Sequence, residues 1–298
     1  MYNVAHYLEK CVSHIQLDIE DYEILMINDG SPDNSLLTAN TIAENNPNCS
    51  VLSQDNKGLG GARNLGITNA KGKFILFLDA DDILTKQDFS FLRNENADII
   101  EFSAERVTDK GEKVGSVLMN ELEVKTDGMT YFLNNNSINS ACNKIYASAF
   151  LKTNNFLFLE HIYSEDFEFN TRLFSLAKLV YSKSEALQYF VNSENSITRN
   201  NDKAQKDKLL KDYLIIGDSI RRFQISNELE SNISFQYFQK KYTILTVDLI
   251  YHSIKNGFGL QYLVNKVKQL KSLGAFSLKG KISNPAKNLF KYFCRILF

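Results

Sequence analysis

Short apolar runs and amphipathic stretches alternate along the first part of the chain. Apolar runs typical of buried strands occupy residues 22–27, 50–53 and 74–78. Amphipathic stretches typical of helices occupy residues 4–17, 33–45 and 58–70. Because strands that alternate with helices form parallel sheets through right-handed crossovers, the chain is predicted to be an α/β protein with a mostly parallel sheet flanked by helices.

The pattern changes from mixed to helical near residue 200. Before that point it predicts a strand at 97–102 and a hairpin at 107–117. It also predicts helices at 127–134 and 163–176 and two short strands within 180–191. Beyond it the periodicity predicts helices alone, at 204–225, 233–256 and 259–273. We therefore divide the chain into an α/β domain, 1–200, and a helical extension, 201–298.

The most informative segment is the apolar run 74–78, which leads into Asp79, Asp81 and Asp82. Functional groups of a parallel sheet gather at the carboxyl ends of its strands. Asp79 and Asp81 lie two residues apart and would point to the same side in regular strand geometry. Their hard oxygens suit Mg²⁺ or Mn²⁺, and such an ion usually also binds substrate phosphates. The alternative is a strand that ends in a polar turn without further function.

Two other segments follow predicted strands and form turns. Asp29 and Gly30 follow the strand at 22–27, and the glycine permits a sharp change of direction. Glycines within 58–66 open the next helix and leave amides free for an anion, while Arg63 is a ready partner for a phosphate or carboxylate. Taken singly, the first segment is equally typical of a polar turn, and the second is weak evidence for a nucleotide site.

In this order and spacing, these segments resemble the family 2 glycosyltransferases, a family of inverting enzymes with a GT-A fold. The D-G-S-x-D turn of that family is matched by 29–33, its N-x-G-x-x-x-A-R-N-x-G segment by 56–66, and its D-x-D-D by 79–82. Its N-K-hydrophobic-Tyr, Glu-Asp and Ser-Ile-Thr segments are matched by 143–146, 165–166 and 196–198. The resemblance extends over residues 1–200 and implies a GT-A-type sheet for them.

The resemblance implies a nucleotide-sugar donor, expected to be a UDP-sugar, at these strand ends. Asp29 would contact the base, and Arg63 and Asn64 would shape the nucleotide pocket. Asp79 would lie near the ribose and the metal. Asp81 would bind the Mg²⁺ or Mn²⁺ ion that stabilises negative charge on the departing diphosphate.

The same resemblance assigns the acceptor side of the reaction to later residues. Asp166 would be the general base that deprotonates the acceptor hydroxyl, whose attack from the opposite face gives inversion. Glu165 would orient the acceptor or support its loop. Without the upstream motifs, the alternative for both acids is preferred: they would lie at a helix N-terminus, where the helix dipole favours acidic side chains. Lys144 would reach the diphosphate or the acceptor, the alternative being a solvated charge beside a strand. The acceptor is expected to be a glycan or a lipid-linked sugar in surface polysaccharide synthesis.

Composition limits the remaining classes of function. The chain has 298 residues, of which 44% are hydrophobic and 23% charged, values typical of ordinary globular proteins. Its four cysteines are scattered and its four histidines lack metal-ligand spacing, so neither a zinc site nor a disulfide framework is predicted. No apolar run approaches the length of a membrane span and no leader pattern is visible, so the cytoplasm is the expected compartment.

The charge of the chain is concentrated in its last part. Residues 264–298 contain seven Lys and one Arg with no Asp or Glu, which gives +8 against a net charge of −1 for the whole chain. Basic amphipathic segments of this kind lie on anionic membrane surfaces, which predicts peripheral attachment to the inner face of the cell membrane. The alternative is a basic helix packed on the acidic body. Nucleic acid is not an expected partner, because the body of the chain has no nucleic-acid motif.

The beginning of the chain departs from the family pattern. Members of the family begin with an apolar strand that ends in P-x-Y-N, whereas this sequence starts at Met1-Tyr2-Asn3. We expect that the true start lies upstream and that Met1 belongs to the end of that strand. The alternative is a non-catalytic binding protein that has lost its donor site with the strand, because an interior strand contributes both core and backbone hydrogen bonds.

A third class of function is a haloacid dehalogenase-like phosphatase, because Phe77 to Asp81 resembles the nucleophile motif of those enzymes. That family places its D-x-D near the N-terminus, with Thr or Val two residues later, where this chain has Ile83. The assignment would also leave Asp29 and Arg63 unexplained, so the glycosyltransferase interpretation is preferred.

Overall fold

The structure, a computed structural model, describes residues 1–17, 22–108, 110–122, 124–192, 202–282 and 284–298. Its strands are β1 (Ile24–Asp29), β2 (Cys49–Gln54), β3 (Phe74–Leu76), β4 (Ile83–Leu84), β5 (Ile99–Thr108), β6 (Lys113–Val117), β7 (Lys144–Ala147) and β8 (Val180–Asn192). Its helices are α1 (Ala5–Ser13), α2 (Ser35–Asn45), α3 (Gly58–Asn69), α4 (Gly128–Asn134), α5 (Ser148–Thr153), α6 (Glu165–Leu176), α7 (Lys203–Ser226), α8 (Asn232–Lys255), α9 (Leu260–Ser272) and α10 (Pro285–Leu297), with a 3₁₀ helix at Ser90–Asn94. The predicted α/β fold with a helical C-terminal region is confirmed.

The chain forms two compact units. The first comprises Met1–Asp127, Ser137–His161 and Ala177–Ser196. The second comprises Gly128–Asn136, Ile162–Leu176 and Ile197–Phe298. Helices α4 and α6 therefore belong with the C-terminal helices, a grouping that a linear division at residue 200 does not express.

The first unit contains a two-stranded parallel sheet, β1 with β2, in which Asp29 is opposite Gln54. Helices α1 and α2 pack on it through a small core of Leu8, Val12, Met26 and Ala39. The alternation of apolar residues that predicted these elements is therefore the pattern that buries them. Asn28 and Asp29 follow the apolar part of β1 and come to lie at its carboxyl end.

The second sheet of this unit has the order β3-β7-β5-β8-β4, with β6 also paired to β5. Strands β5 and β8 run parallel, whereas β3–β7, β5–β7, β4–β8 and β5–β6 are antiparallel. The two short strands predicted within 180–191 are one strand, β8, because its register against β5 shifts near Phe102 and Ser103 without ending the pairing. The sheet is thus more mixed than the alternating sequence pattern predicted.

A cleft separates β1 from β3. It has a volume of about 640 Å³ and a largely apolar lining that includes Ile24, Met26, Phe74 and Leu76. Among the described residues, β3 is not part of the parallel sheet of β1 and β2, and its partner is the antiparallel strand β7. The expectation that 74–78 forms a parallel strand is therefore wrong for its pairing, although the segment is a strand.

The second unit is helical, and aromatic side chains join α4 and α6 to α8. The ring of Tyr131 stacks on Phe174 with centroids 5.8 Å apart. The hydroxyl of Tyr237, which is fully buried, donates to the carbonyl of Thr171 at 2.8 Å. Gly128 permits the close approach of α4 to α6, since an added Cβ at this position would lie 2.3 Å from the carbonyl oxygen of Phe174. In the part of the chain that the structure describes, no helix combines the length and apolarity needed to span a membrane.

Candidate functional site

The turn after β1 is built around Gly30 and Asp33. Gly30 has φ +64°, and an added Cβ would lie 2.9 Å from the backbone nitrogen of Asn56, so both the conformation and the space favour glycine. One carboxylate oxygen of Asp33 accepts from the hydroxyls of Ser31 and Ser35, each at 2.6 Å. Although desolvation opposes it, these hydrogen bonds and those from backbone amides hold the pKa of Asp33 below its usual range. These hydrogen bonds connect the turn to the start of α2 at the end of β1.

Asp29 is buried at this end of the sheet. Its Oδ1 accepts from the side-chain amide of Gln54 at 2.7 Å and from the backbone N–H of Lys57 at 2.9 Å. Its backbone carbonyl accepts from Asn56 at 3.0 Å. Asp29 therefore binds the end of β2 to the end of β1 and fixes the loop that leads into α3.

The glycines that open α3 allow a second segment to approach. An added Cβ at Gly60 would lie 2.3 Å from the carbonyl oxygen of Leu159. Asn64 holds the same segment, because its amide donates to the carbonyl of Phe158 at 2.9 Å and its Oδ1 accepts from the Phe158 N–H at 2.7 Å. In the structure, Asn64 thus orders the chain around Phe158, and its predicted contact with a nucleotide stays a prediction.

Arg63 brings α3 to the carboxylates that follow β3. Its Nη2 donates to Oδ1 of Asp79 at 3.0 Å and contacts the sulfur of Cys142 at 3.5 Å. The guanidinium also lies over the rings of Phe77 and Phe158, at 5.8 and 5.3 Å from their centroids. Arg63 is only 7% exposed, whereas the Asp79 side chain is 35% exposed. The pair therefore fixes Asp79 from the inside while leaving part of its carboxylate accessible.

The three carboxylates lie on a turn and not on a regular strand. Strand β3 ends at Leu76, and the N–H of Asp82 donates to the carbonyl of Asp79 at 2.9 Å. The alternation that would place Asp79 and Asp81 on one side of a strand therefore does not apply. Burial and then the charges of Asp82, Asp81 and Asp79 raise the pKa of the Cys11 thiol to about 12, so all three carboxylates lie within electrostatic reach of one sulfur.

The amino group of Met1 lies within electrostatic reach of both Asp29 and Asp79. It donates to the carbonyl of Ile27, and the carbonyl of Met1 accepts from the N–H of Asp29 at 3.0 Å. Burial lowers the pKa of this amino group, and the charges of Asp29 and Asp79 oppose the shift. The structure thus brings Asp29, Asp79 and Arg63 together, with Asp81 on the adjoining turn.

The carboxylates of the turn after β3 suit a hard divalent cation that also binds a substrate. Asp79, Asp81 and Asp82 supply carboxylate oxygens, the ligands that Mg²⁺ and Mn²⁺ prefer. Over the described ranges, no three His, Cys, Asp or Glu side chains converge closely enough to hold an ion by themselves. Mg²⁺ is commonly held by one or two carboxylates together with substrate phosphates and water, and this arrangement is the one that the turn could provide.

Lys144 occupies a different, fully buried cluster in the same unit. Its Nζ lies 3.0 Å from Oε1 of Glu101, and both side chains are 0% exposed. It also donates to the carbonyls of Ile138 and Ser140, each at 2.8 Å, and to Oδ1 of Asn143 at 2.9 Å. This environment favours a positioning role, because Lys144 holds the loop that carries Cys142 against Arg63. Its direct contact with a donor stays a prediction.

Glu165 and Asp166 open α6 in the second unit. Glu165 is buried and Asp166 is half-buried. The preceding residue, Ser164, has φ +62°, an uncommon conformation for a non-glycine residue. The N–H of Tyr163 donates to Asp212 at 2.9 Å, which ties the start of α6 to α7. The predicted Ser196-Ile197-Thr198 loop lies outside the described residues.

Sequence reasoning missed several residues that form the site. Cys11, Cys142 and Gln54 belong to ordinary apolar or polar positions, and nothing in their spacing marks them. Glu101 did carry a signal, since it interrupts the apolar run that continues from Ile99 to Phe102. A lone acid in a buried strand requires a cationic or hydrogen-bonding partner, and that requirement could have identified Lys144 as its counterpart.

Comparison with known proteins agrees with this geometry. Residues 1–146 match the model of Glycosyl transferase family 2. The uncharacterized glycosyltransferase EpsJ of Bacillus subtilis is 30% identical over 209 residues, which are 66% of this chain and 61% of that protein. Hyaluronan synthase of Pasteurella multocida is 40% identical over 84 residues, 28% of this chain and 9% of that protein. The chain thus spans less than two thirds of the length of either relative.

Solved structures show the same fold at low sequence identity. S. aureus TarS 1–349 in complex with UDP has a TM-score of 0.66 and 20% identity, covering 99% of this chain and 85% of that one. The mannosyltransferase PcManGT of Pyrobaculum calidifontis, in complex with GDP-Man and Mn²⁺, has a TM-score of 0.52 and 11% identity, covering 100% of this chain and 79% of that one. These likenesses establish a GT-A nucleotide-sugar transferase fold.

Proposed function

We propose, since residues 1–146 match Glycosyl transferase family 2, that the chain is an inverting glycosyltransferase. It would transfer a sugar from a nucleotide-sugar donor, a UDP-sugar, to a hydroxyl of a glycan or lipid-linked acceptor. The observation that carries the proposal is the cluster of Asp29, Arg63 and Asp79 at the ends of β1 and β3, with Asp81 on the adjoining turn. Carboxylates and a guanidinium that converge at the carboxyl ends of two strands suit the binding of a nucleoside diphosphate.

The donor side of the reaction is assigned to the first unit. The buried carboxylate of Asp29 is held by Gln54 and the Lys57 amide, which suits recognition of a base N–H by its remaining lone pairs. Arg63 keeps Asp79 oriented at the ribose side of the site. Asp81, together with diphosphate oxygens, would hold the divalent cation, and a bound Mg²⁺ or Mn²⁺ neutralises charge on the leaving diphosphate. The Mn²⁺ complex of the Pyrobaculum enzyme supports this choice.

The acceptor side is assigned to the start of α6. Asp166 would accept the proton of the acceptor hydroxyl as that oxygen attacks the anomeric carbon and the C–O bond to the diphosphate breaks. A single displacement of this kind inverts the configuration. Glu165, which is buried, would position the loop or orient the acceptor. An acceptor in surface polysaccharide synthesis is supported by relatives such as hyaluronan synthase.

Calorimetric titration of UDP in the presence of Mn²⁺ tests the donor site. We expect the wild-type chain to bind and Asp81→Asn to lose metal-dependent affinity by at least about tenfold. Asp88→Asn is the matched control, because Asp88 is an exposed carboxylate a few residues along the same chain segment. Equal affinity of the Asp81→Asn variant and the wild type would refute the role of Asp81 as a metal ligand.

Release of UDP from a panel of UDP-sugars, measured with a glycan extract as acceptor, tests the general base. Asp166→Asn should keep UDP affinity and lose turnover by roughly 100-fold or more, the usual contribution of general base catalysis. Glu165→Gln serves as its neighbour control and should affect acceptor KM more than turnover. Normal turnover by a folded Asp166→Asn variant would show that another group takes the proton.

A binding protein without transfer activity is the second candidate, and the cleft beside β1 favours it. This cleft has a volume of about 640 Å³ and adjoins Asp79. UDP and Mn²⁺ are titrated into this chain and into one extended ahead of Met1 by an apolar, strand-forming segment. Binding by both favours an active transferase as written, and binding by the extended form alone favours either an upstream start or the second candidate for this form. Binding by neither would contradict the donor assignment.

A further inference from the structure

On α10, four large apolar side chains lie on the exposed side, whereas Lys291 and Cys294 lie on the inner side. Leu289, Tyr292, Phe293 and Ile296 follow one another at helical spacing and are 62, 51, 61 and 82% exposed. Lys291, in contrast, is only 2% exposed. A helix that packs on a protein normally shows the opposite arrangement, with its apolar stripe toward the core. We refer to the four exposed apolar side chains as the α10 face.

Hydrogen bonds within the second unit fix this orientation. Lys287 forms an ion pair with Asp248 of α8. The Nζ of Lys291 donates to the carbonyl of Gly280 at 2.6 Å and to Oδ1 of Asn288 at 2.9 Å. Rotating α10 to bury its apolar face would break these contacts and expose the lysines' partners. The exposed face is therefore a stable property of the unit.

Basic groups border the α10 face, and acidic ones are absent from this part of the sequence. Lys279 and Lys281 are exposed on the segment that packs against α10. Arg295, also exposed, donates to the carbonyls of Leu278 and Lys279 at 2.7 and 3.3 Å, which places the backbone of this lysine-bearing segment beside α10. No Asp or Glu occurs within 264–298. Pairing of two copies through this face would bring like charges together, whereas an anionic surface would complement them.

We propose that the α10 face docks on an anionic lipid surface. The apolar side chains of Leu289, Phe293 and Ile296 would enter the boundary between headgroups and acyl chains, and Tyr292 suits the interface through its polar tip. Lys279, Lys281 and Arg295 would meet the anionic headgroups. The lysines of α10 itself bind the helix to the protein and not to lipid, which differs from the simple basic amphipathic helix predicted for 264–298. The docking does not depend on the proposed sugar transfer.

Vesicle co-sedimentation of the full chain tests the proposal. The wild type should sediment with phosphatidylcholine vesicles that contain phosphatidylserine, less so at high salt, and not with phosphatidylcholine alone. Phe293→Ser/Ile296→Ser should lower the partition coefficient by about tenfold or more, since two large apolar side chains lose their burial in lipid. Lys279→Gln/Lys281→Gln should lower it by roughly 10- to 30-fold.

The matched control is Leu118→Ser/Val124→Ser, which removes two side chains that are 69 and 78% exposed in the first unit. This variant should sediment like the wild type. Far-UV circular dichroism and UDP titration of each variant separate loss of folding or of the donor site from loss of lipid binding. Undiminished sedimentation of Phe293→Ser/Ile296→Ser would overturn the proposal. A wild-type dimer that this variant dissociates in light scattering, without vesicle binding, would replace lipid with a second copy.

Discussion

Replacing Lys144 with Met separates a positioning role from a direct contact with the donor. Lys144 and Glu101 are both fully buried and 3.0 Å apart. The variant leaves the Glu101 carboxylate without its cation and removes three further hydrogen bonds of Nζ, to Ile138, Ser140 and Asn143. Removing one partner of a buried ion pair costs about 3–5 kcal/mol. Because neither side chain has any solvent exposure, we expect a loss in that range.

The double variant Lys144→Met/Glu101→Gln is the matched control. A glutamine at position 101 keeps an oxygen that can accept from Ser137, Ile138 and Asn143, as Glu101 does at 3.0, 3.1 and 3.3 Å. With both charges removed, most of the lost stability should return. We therefore expect a coupling free energy between Lys144 and Glu101 in a double-mutant cycle, whereas two unconnected residues would show none.

Hydrogen exchange of β5 and β7 measures this loss where it occurs. A chain of two units need not unfold in one step, so a local free energy of opening is more informative than a global midpoint. UDP titration of the same variants completes the test. A positioning role for Lys144 is refuted if β5 and β7 of Lys144→Met are as protected from exchange as in the wild type and the variant no longer binds UDP. That result would assign Lys144 to the donor.

Four further substitutions test other parts of the first unit. Gly60→Ala should cost about 1–3 kcal/mol, since its Cβ would lie 2.3 Å from the carbonyl oxygen of Leu159, while Gly66→Ala, whose nearest neighbour is 4.0 Å away, should stabilise α3 by about 0.5–1 kcal/mol. Urea unfolding compares the two, and equal effects would contradict the close packing. Although desolvation opposes it, hydrogen bonds from a lysine, a tyrosine and backbone amides lower the pKa of Glu95 from 4.5 to about 2. Its stabilisation is therefore complete above pH 4.5 and lost as the pH falls toward 2, and Glu95→Gln should flatten this part of a pH–stability curve. Arg63→Lys should weaken UDP binding about tenfold, because an ammonium cannot reproduce the guanidinium fork; unchanged affinity in calorimetry would exclude that role.

Local periodicity was sufficient to predict most elements but not their partners. The stretch 58–70 was predicted as a helix and α3 ends one residue earlier, and 233–256 was predicted where α8 occupies Asn232–Lys255. Both patterns depend on residues three or four apart, which a sequence displays directly. Pairing of β5 with β8 joins residues about 80 positions apart. Strand β3 pairs with β7, which is separated from it along the chain by β4, β5, β6 and α4. Such choices depend on packing between distant segments and leave no local periodic signal.

The candidate site shows the same division between local and tertiary information. Asp29 and Asp79 were predicted because each follows an apolar strand, and strand ends are where sheet proteins place polar groups. The ion pair between Arg63 and Asp79 was not predicted, since it joins α3 to the turn after β3, and tertiary packing sets the relative placement of these two segments. Lys144 was assigned to the donor through a motif, whereas Glu101 is the residue that accounts for its burial. A motif identifies which residues recur together, and it does not distinguish those that touch a substrate from those that hold the site.

The tail makes the clearest case for this distinction. Composition alone predicted a basic amphipathic segment, and either face of such a helix could pack inward. Its lysines can turn toward the protein because their long apolar stems tolerate burial while the ammonium groups reach oxygens such as the Gly280 carbonyl and Asp248. With those positions taken, Leu289, Phe293 and Ile296 lie on the surface, while Cys294 is buried on the inner side. The direction of an amphipathic helix is therefore decided by the partners available to its charges, and here that choice turns a predicted electrostatic tail into an apolar docking face with a basic border.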